Sequence, residues 1–230
     1  MKTIGIIGGM TWHSSALYYQ IINHEMNRRR GGFHSAQVLL SSLDFGEIEP
    51  LQRAADWSTV GKKLGEAAAN LEAAGADGLI IASNTVHRVF NHVTESVSLP
   101  LIHITDALGA ALLRERVTTV GILGTAYTMA EDFLIPRLAD AFQISCVKPS
   151  EADQDWLHNT IYGELSHGIT SVAAEKRLST MIRELHARGA EAVALACTEL
   201  SAIVDDQAHQ VPVFDTARIH ALAAVDWALK

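Results

Sequence analysis

Gly189-Ala190-Glu191-Ala192-Val193-Ala194-Leu195-Ala196-Cys197-Thr198-Glu199 is a short apolar run that follows a turn-like glycine and ends abruptly in a thiol, a hydroxyl and a carboxylate. The pattern is that of a strand buried inside a parallel sheet. Its polar end is then the C-terminal end of the strand, where open α/β sheets bind ligands. The pattern occurs twice. Gly75-Ala76-Asp77-Gly78-Leu79-Ile80-Ile81-Ala82-Ser83-Asn84-Thr85 pairs Gly75 with Gly189, Asp77 with Glu191, Ala82 with Ala196 and Ser83 with Cys197. Two further pairs lie at nearly the same offset. Thr3-Ile4-Gly5-Ile6-Ile7-Gly8 matches Thr119-Val120-Gly121-Ile122-Leu123-Gly124, and Leu99-Pro100-Leu101-Ile102 matches Val211-Pro212-Val213-Phe214. Three matches in one order, spaced by about half the chain, mark a duplicated domain and not a solenoid of short units.

The repeat divides the 230 residues into two lobes of about a hundred each. Strand and helix patterns alternate throughout, so each lobe is expected to be a Rossmann-like α/β unit around a mostly parallel sheet. The expected lobes are residues 1–98, rejoined by 208–230, and residues 99–207. A pseudo-two-fold arrangement would bring equivalent strand ends to opposite sides of one cleft.

Composition narrows the function classes. The chain is 48% hydrophobic and 19% charged, enough for buried cores and inconsistent with long disorder. Eighteen basic against 26 acidic residues leave a formal net charge of −8, which disfavours nucleic acid or an anionic membrane as a partner. The N-terminal stretch is too short and glycine-rich for a secretory signal, and no apolar run approaches membrane-spanning length, so the chain reads as cytosolic. The two cysteines, Cys146 and Cys197, have no CxxC spacing and read as free thiols. The 11 histidines are scattered without HExxH, so no metal is expected.

Local signals place the remaining elements. Thr3 to Ile7 reads as a strand that ends in Gly8-Gly9, a turn suited to close approach by a ligand, before a helix through Leu17, Ile21, Ile22 and Met26. Arg28-Arg29-Arg30 before Gly31-Gly32 favours a helix C-terminus, with the arginines as solvated charges. Strands are expected around Gln37 to Leu40, Val117 to Leu123, Gln143 to Val147 and the two proline segments. Amphipathic helices are expected through Val60, Leu64, Ala67, Ala68 and Leu71, and through Leu178, Met181, Ile182 and Leu185. Thr128 and Glu131 fit a capping box, and Pro136 implies a kink or a shortened helix. Neither GxGxxG nor a P-loop is present, so Gly8-Gly9 does not predict a nucleotide site. His87 and His103 read as structural histidines, and Asp106 and Asp215 as helix caps.

Equivalent strand ends would set Cys197 and Ser83 on either side of a ligand. Two thiols so placed can move the α-proton of an amino acid from one face to the other: a thiolate abstracts and the opposite thiol donates. Along its whole length the chain resembles the aspartate/glutamate racemase family, which is independent of pyridoxal phosphate. The likeness is carried by Gly8-Gly9-Met10-Thr11-Trp12, Ser83-Asn84-Thr85-Val86-His87, Gly124-Thr125 and Cys197-Thr198-Glu199. The resemblance implies two lobes, a cleft site, no cofactor, a small acidic amino acid as substrate and commonly a homodimer. It also implies that Cys197 acts on the L-enantiomer, as the second-half cysteine of the related glutamate racemases does.

At the first catalytic cysteine of that family this sequence has Ser83, whose hydroxyl is far less acidic than a thiol. The expectation is therefore a slow or direction-biased racemase with Cys197 as base and Ser83 as at best a relay. Asn84, Thr85, Thr198 and nearby backbone N–H groups are expected to hold the α-carboxylate. Met10, Thr125, Tyr127 and Thr128 are expected to line the substrate. Gln52 and Arg53 are the candidates for its distal carboxylate, and Glu199 would orient or accept a proton from the thiol or the ammonium group. The rival readings are another reaction of the superfamily (hydantoin racemisation, maleate isomerisation or arylmalonate decarboxylation) and a binding protein that holds an acidic amino acid without turning it over.

Overall fold

The computed structural model describes residues 1–130, 133–204 and 209–230. The chain divides into two compact units, Met1–Ile104 with His220–Lys230 and Thr105–Ile219.

The first unit contains β1 (Ile4–Gly8), α1 (Trp12–Arg30), β2 (Val38–Ser42), α2 (Phe45–Arg53), α3 (Trp57–Ala73), β3 (Gly78–Ile81), a 3₁₀ turn at Thr85–Val89 and α4 (Phe90–Glu95). Its sheet has the order β2-β1-β3, all parallel. Leu101 extends the sheet by a single parallel bridge to Leu79. The second unit is entered through α5 (Ile104–Arg114). It continues with β4 (Thr119–Gly124), α6 (Ala126–Ala130), α7 (Ile135–Phe142), β5 (Ser145–Val147), α8 (Glu151–Gly163), α9 (Val172–Ala187), β6 (Ala192–Ala196) and β7 (Val213–Asp215). Its parallel sheet has the order β5-β4-β6-β7. The chain returns to the first unit within α10 (Thr216–Ala228). β7 lies in the second sheet, so the crossing comes later than the 207/208 division read from sequence.

The two units repeat each other in hydrogen bonds as well as in strand order. Leu79 N–H donates to Pro100 O at 2.8 Å, and Val193 N–H donates to Pro212 O at 2.9 Å. Gly75 and Gly189 have φ of +95° and +97°, the left-handed conformation that ends α3 and α9 without a Cβ penalty. Each is followed by a carboxylate that fastens the N-terminal edge of its sheet. Asp77 Oδ2 accepts the Thr3 N–H at 2.6 Å, and Glu191 Oε2 accepts the Thr118 N–H at 2.6 Å and the Thr119 N–H at 3.1 Å.

Each sheet buries its strands against amphipathic helices. β1, β3 and β6 are buried at every residue, as continuous apolar runs demand. On α3 the buried set includes Val60, Leu64, Ala67, Ala68 and Leu71; on α9 it includes Leu178, Met181, Ile182 and Leu185. Both helices start on side-chain caps, Asp56 accepting from Thr59 N–H and Ser171 from Ala174 N–H. Full burial of each Leu, Ile, Val or Met contributes about 1.5–3 kcal/mol.

Several local expectations change. Gly9 has φ +93°, and a Cβ there would lie 2.0 Å from Leu43 O, so this turn is shaped by a neighbouring backbone rather than by a ligand. Arg28 and Arg29 are not merely solvated: both pair with Glu25, and Arg29 also with Asp226 on α10. Thr128 lies inside α6, and the cap is Thr125, whose Oγ1 accepts the Thr128 N–H at 3.2 Å; Glu131 lies outside the described residues. Pro136 occupies the first turn of a separate helix, α7, where its missing N–H is harmless. Gln143 is the left-handed C-cap of α7 and not a strand residue. Asp215 does cap α10, accepting the Arg218 N–H at 3.1 Å. Among the described residues no helix is long and apolar enough to cross a membrane.

Candidate active site

In the second unit, parallel pairing sets Gly124 beside Ala196, so Thr125 and Cys197 leave adjacent strands at the same C-terminal edge. Cys197 is 8% exposed and leads into a 3₁₀ turn, Thr198–Ala202. Its Sγ donates to Glu199 Oε2 at 3.0 Å, and Thr198 Oγ1 donates to the same oxygen at 2.6 Å. Burial pushes the Cys197 thiol well above its ordinary range, and the charge and hydrogen bond of Glu199 add to the rise. The resting group is therefore a thiol, and its thiolate, once formed, is a stronger base than an ordinary one. Thr125 Oγ1 and Thr128 Oγ1 lie 3.1 Å apart in a buried pair, and Tyr127 is half-buried beside them. His158 on α8 packs edge-on against Tyr127 and accepts the Ala126 N–H.

In the first unit, Ile7 of β1 pairs with Ile81 of β3, so Gly9-Met10-Thr11 and Ala82-Ser83-Asn84 likewise emerge together. Met10, Asn84, Thr85 and Gln52 are buried, whereas Trp12 is 65% exposed. Ser83 is half-buried, and among the described residues no group hydrogen-bonds its hydroxyl. The base within reach addresses another atom: His87 Nδ1 donates to the Ser83 carbonyl at 2.7 Å, while its Nε2 accepts the Ile104 N–H at 3.2 Å. With both ring nitrogens committed, and with burial driving its pKa far down, His87 is a neutral structural strut.

The two residues considered for a distal carboxylate part company on α2. Ile48 and Gln52, four apart, face inward, while Glu49 and Arg53, also four apart, face solvent. Arg53, 78% exposed at its side chain, donates through Nη2 to Glu49 Oε1 at 2.6 Å. Gln52 is 3% exposed. Among the described residues, no group of three His, Cys, Asp or Glu side chains is placed to hold a metal ion. Cys146 lies on the edge strand β5, where burial raises its pKa to about 11, so at neutral pH it is a protonated thiol.

The Asp/Glu/hydantoin racemase family matches residues 7–224. The chain belongs to that family. A candidate Asp/Glu racemase from Yersinia pestis is 40% identical with a TM-score of 0.94, covering 100% of both chains. An aspartate racemase homologue from Pyrococcus horikoshii OT3 is 33% identical with a TM-score of 0.85, again covering 100% of both chains. The Picrophilus torridus aspartate racemase, 21% identical with a TM-score of 0.80 over 100% of this chain and 95% of that one, shares the fold. Within this racemase family, sequence reasoning singled out Cys197, Thr198, Glu199 and Ser83 but missed His158. Nothing in a polar helical stretch signals which of its side chains reaches a strand end.

Proposed function

We propose that the chain is a cofactor-independent racemase of an acidic amino acid, aspartate or glutamate, biased toward the L-enantiomer because it has one sulfur base. The observation that supports this most is the contrast between the two strand ends. Cys197 supplies a thiol held by a hydrogen bond to Glu199, whereas Ser83 supplies a hydroxyl with no hydrogen-bond partner among the described residues. The α-proton of the L-substrate passes to the Cys197 thiolate, and the carbanion charge spreads into the α-carboxylate. Asn84, Thr85 and Thr198 hold that carboxylate; Met10, Thr125, Tyr127 and Thr128 line the site. Gln52, being buried, is the better of the two candidates for the distal group, contributing hydrogen bonds rather than a bidentate ion pair. Return of a proton from the opposite face depends on Ser83 relaying one from water. In this reading the enzyme is cytoplasmic and works as a homodimer.

The test is α-proton exchange of L- and D-aspartate and of L- and D-glutamate in deuterated water, followed by proton NMR. Faster exchange of the L-enantiomers is expected, and equal rates for both enantiomers overturn the proposal. The raised thiol pKa favours one alternative, a protein that binds acidic amino acids without turnover. Tight binding with no exchange of either enantiomer would establish that alternative instead.

A further inference from the structure

His158 reaches from α8 onto the segment that follows β4. Its Nδ1 accepts the backbone N–H of Ala126 at 3.3 Å. Its ring meets Tyr127 edge-on, with centroids 5.4 Å apart at 86°, and Tyr162 at a tilt, with centroids 4.8 Å apart. The Ala126 N–H lies in the first turn of α6, where no intrahelical acceptor exists. One side chain thus satisfies that donor and braces the neighbouring aromatic ring. Because Nδ1 accepts, the proton of the neutral ring is on Nε2.

We propose that His158 is a positioning residue for the substrate-lining segment Thr125–Thr128, and that its bond to Ala126 makes substrate affinity sensitive to pH. The inference rests on the racemase reading above. Protonation places an N–H at Nδ1 facing the Ala126 N–H; two donors cannot bond, and the segment loses its anchor. The titratable groups around the ring are Tyr127 from α6, with Tyr162 and Asp155 from α8. Asp155 favours the protonated ring, but burial opposes it and prevails, so the pKa lies below its ordinary value. The anchor is therefore intact at neutral pH and is released only below the ordinary imidazole range.

Three variants separate the roles. In His158→Asn the side-chain oxygen sits at the reach of Nδ1 and does not titrate; in His158→Gln it sits at the reach of Nε2; His158→Phe keeps a ring without an acceptor. In the wild type, KM for the L-substrate is expected to rise as the pH falls below the ordinary imidazole range, approaching about fivefold once the ring is protonated, with kcat changing less. His158→Asn should keep the neutral-pH KM within about twofold and flatten the rise, while the Gln and Phe variants raise KM about fivefold even at neutral pH. A wild-type KM in His158→Phe overturns the inference and leaves the racemase reading standing. Absence of exchange in the wild type overturns the racemase reading, and the Ala126 amide resonance then decides the inference alone. An amide shift that follows His158 protonation in the wild type and vanishes in His158→Asn supports it; one indifferent to His158 overturns it.

Discussion

Acid should unfold the first unit through its buried histidines. His220, on α10, is fully buried; its Nε2–H donates to Ile102 O at 2.9 Å, and its Nδ1 accepts the Tyr18 hydroxyl at 3.0 Å. Burial moves its pKa from 6.5 to about 4. The folded state thus binds this proton less readily than the unfolded chain. The stability it contributes is complete above about pH 6.5 and is lost as the pH falls toward the folded value of about 4. At about 1.4 kcal/mol per pH unit, the gap between 6.5 and about 4 amounts to about 3 kcal/mol. Against a typical total of about 5–15 kcal/mol this is a large share. His87, whose ring centroid lies 5.6 Å from that of His220 and whose pKa is also driven down, steepens the loss. Urea unfolding followed by circular dichroism from about pH 7.5 to about pH 4.5, at constant ionic strength, measures the effect. His220→Gln, which retains an amide donor for Ile102, should be less stable at neutral pH and show a shallower decline. A wild-type stability that is flat across this range, or a His220→Gln slope equal to the wild-type slope, would refute the reasoning.

The other predictions concern the strand ends and turns. Cys197→Ser should slow L-side α-proton exchange by at least about 100-fold, and Ser83→Cys should raise D-side exchange by a comparable factor; both are read by deuterium incorporation. Glu199→Gln keeps an acceptor for the thiol but removes the charge that helps raise its pKa. The alkylation of Cys197 by iodoacetamide, resolved from that of Cys146 by peptide mass spectrometry, should then reach its half-maximal rate at lower pH; an unchanged profile would contradict the assignment. Gly189→Ala meets open space and bears only the positive φ, so thermal unfolding should show a loss of about 1–2 kcal/mol. Gly9→Ala meets the Leu43 backbone at 2.0 Å and should lose at least about 3 kcal/mol, because main chain must move.

The duplication was legible because backbone geometry leaves a trace in sequence. Gly75 and Gly189 repeat since both require positive φ, and the proline segments repeat since Pro100 and Pro212 offer equivalent carbonyls to the central strands. The equivalence of the two strand ends was legible for the same reason: Ser83 and Cys197 stand at corresponding positions just past β3 and β6. What stayed hidden depends on which way a helix faces and on contacts distant in the chain. Arg53 looked suited to a carboxylate until the phase of α2 turned it toward Glu49. Arg29 looked solvated because one of its partners, Asp226, is nearly two hundred residues away. His158 carries no local signal at all, since its partner, the Ala126 N–H, is a backbone group.

Asp77 and Glu191 fasten their sheets at the N-terminal edge, whereas Ser83 and Cys197 stand at the opposite edge of the same strands. Each strand thus has the fastening of its unit at one end and the proposed reactive side chain at the other. A replacement at the C-terminal edge leaves the fastening at the other edge untouched. The same separation makes the C-terminal edge, where Ser83 and Cys197 stand, the place where side chains can be exchanged at little risk to folding.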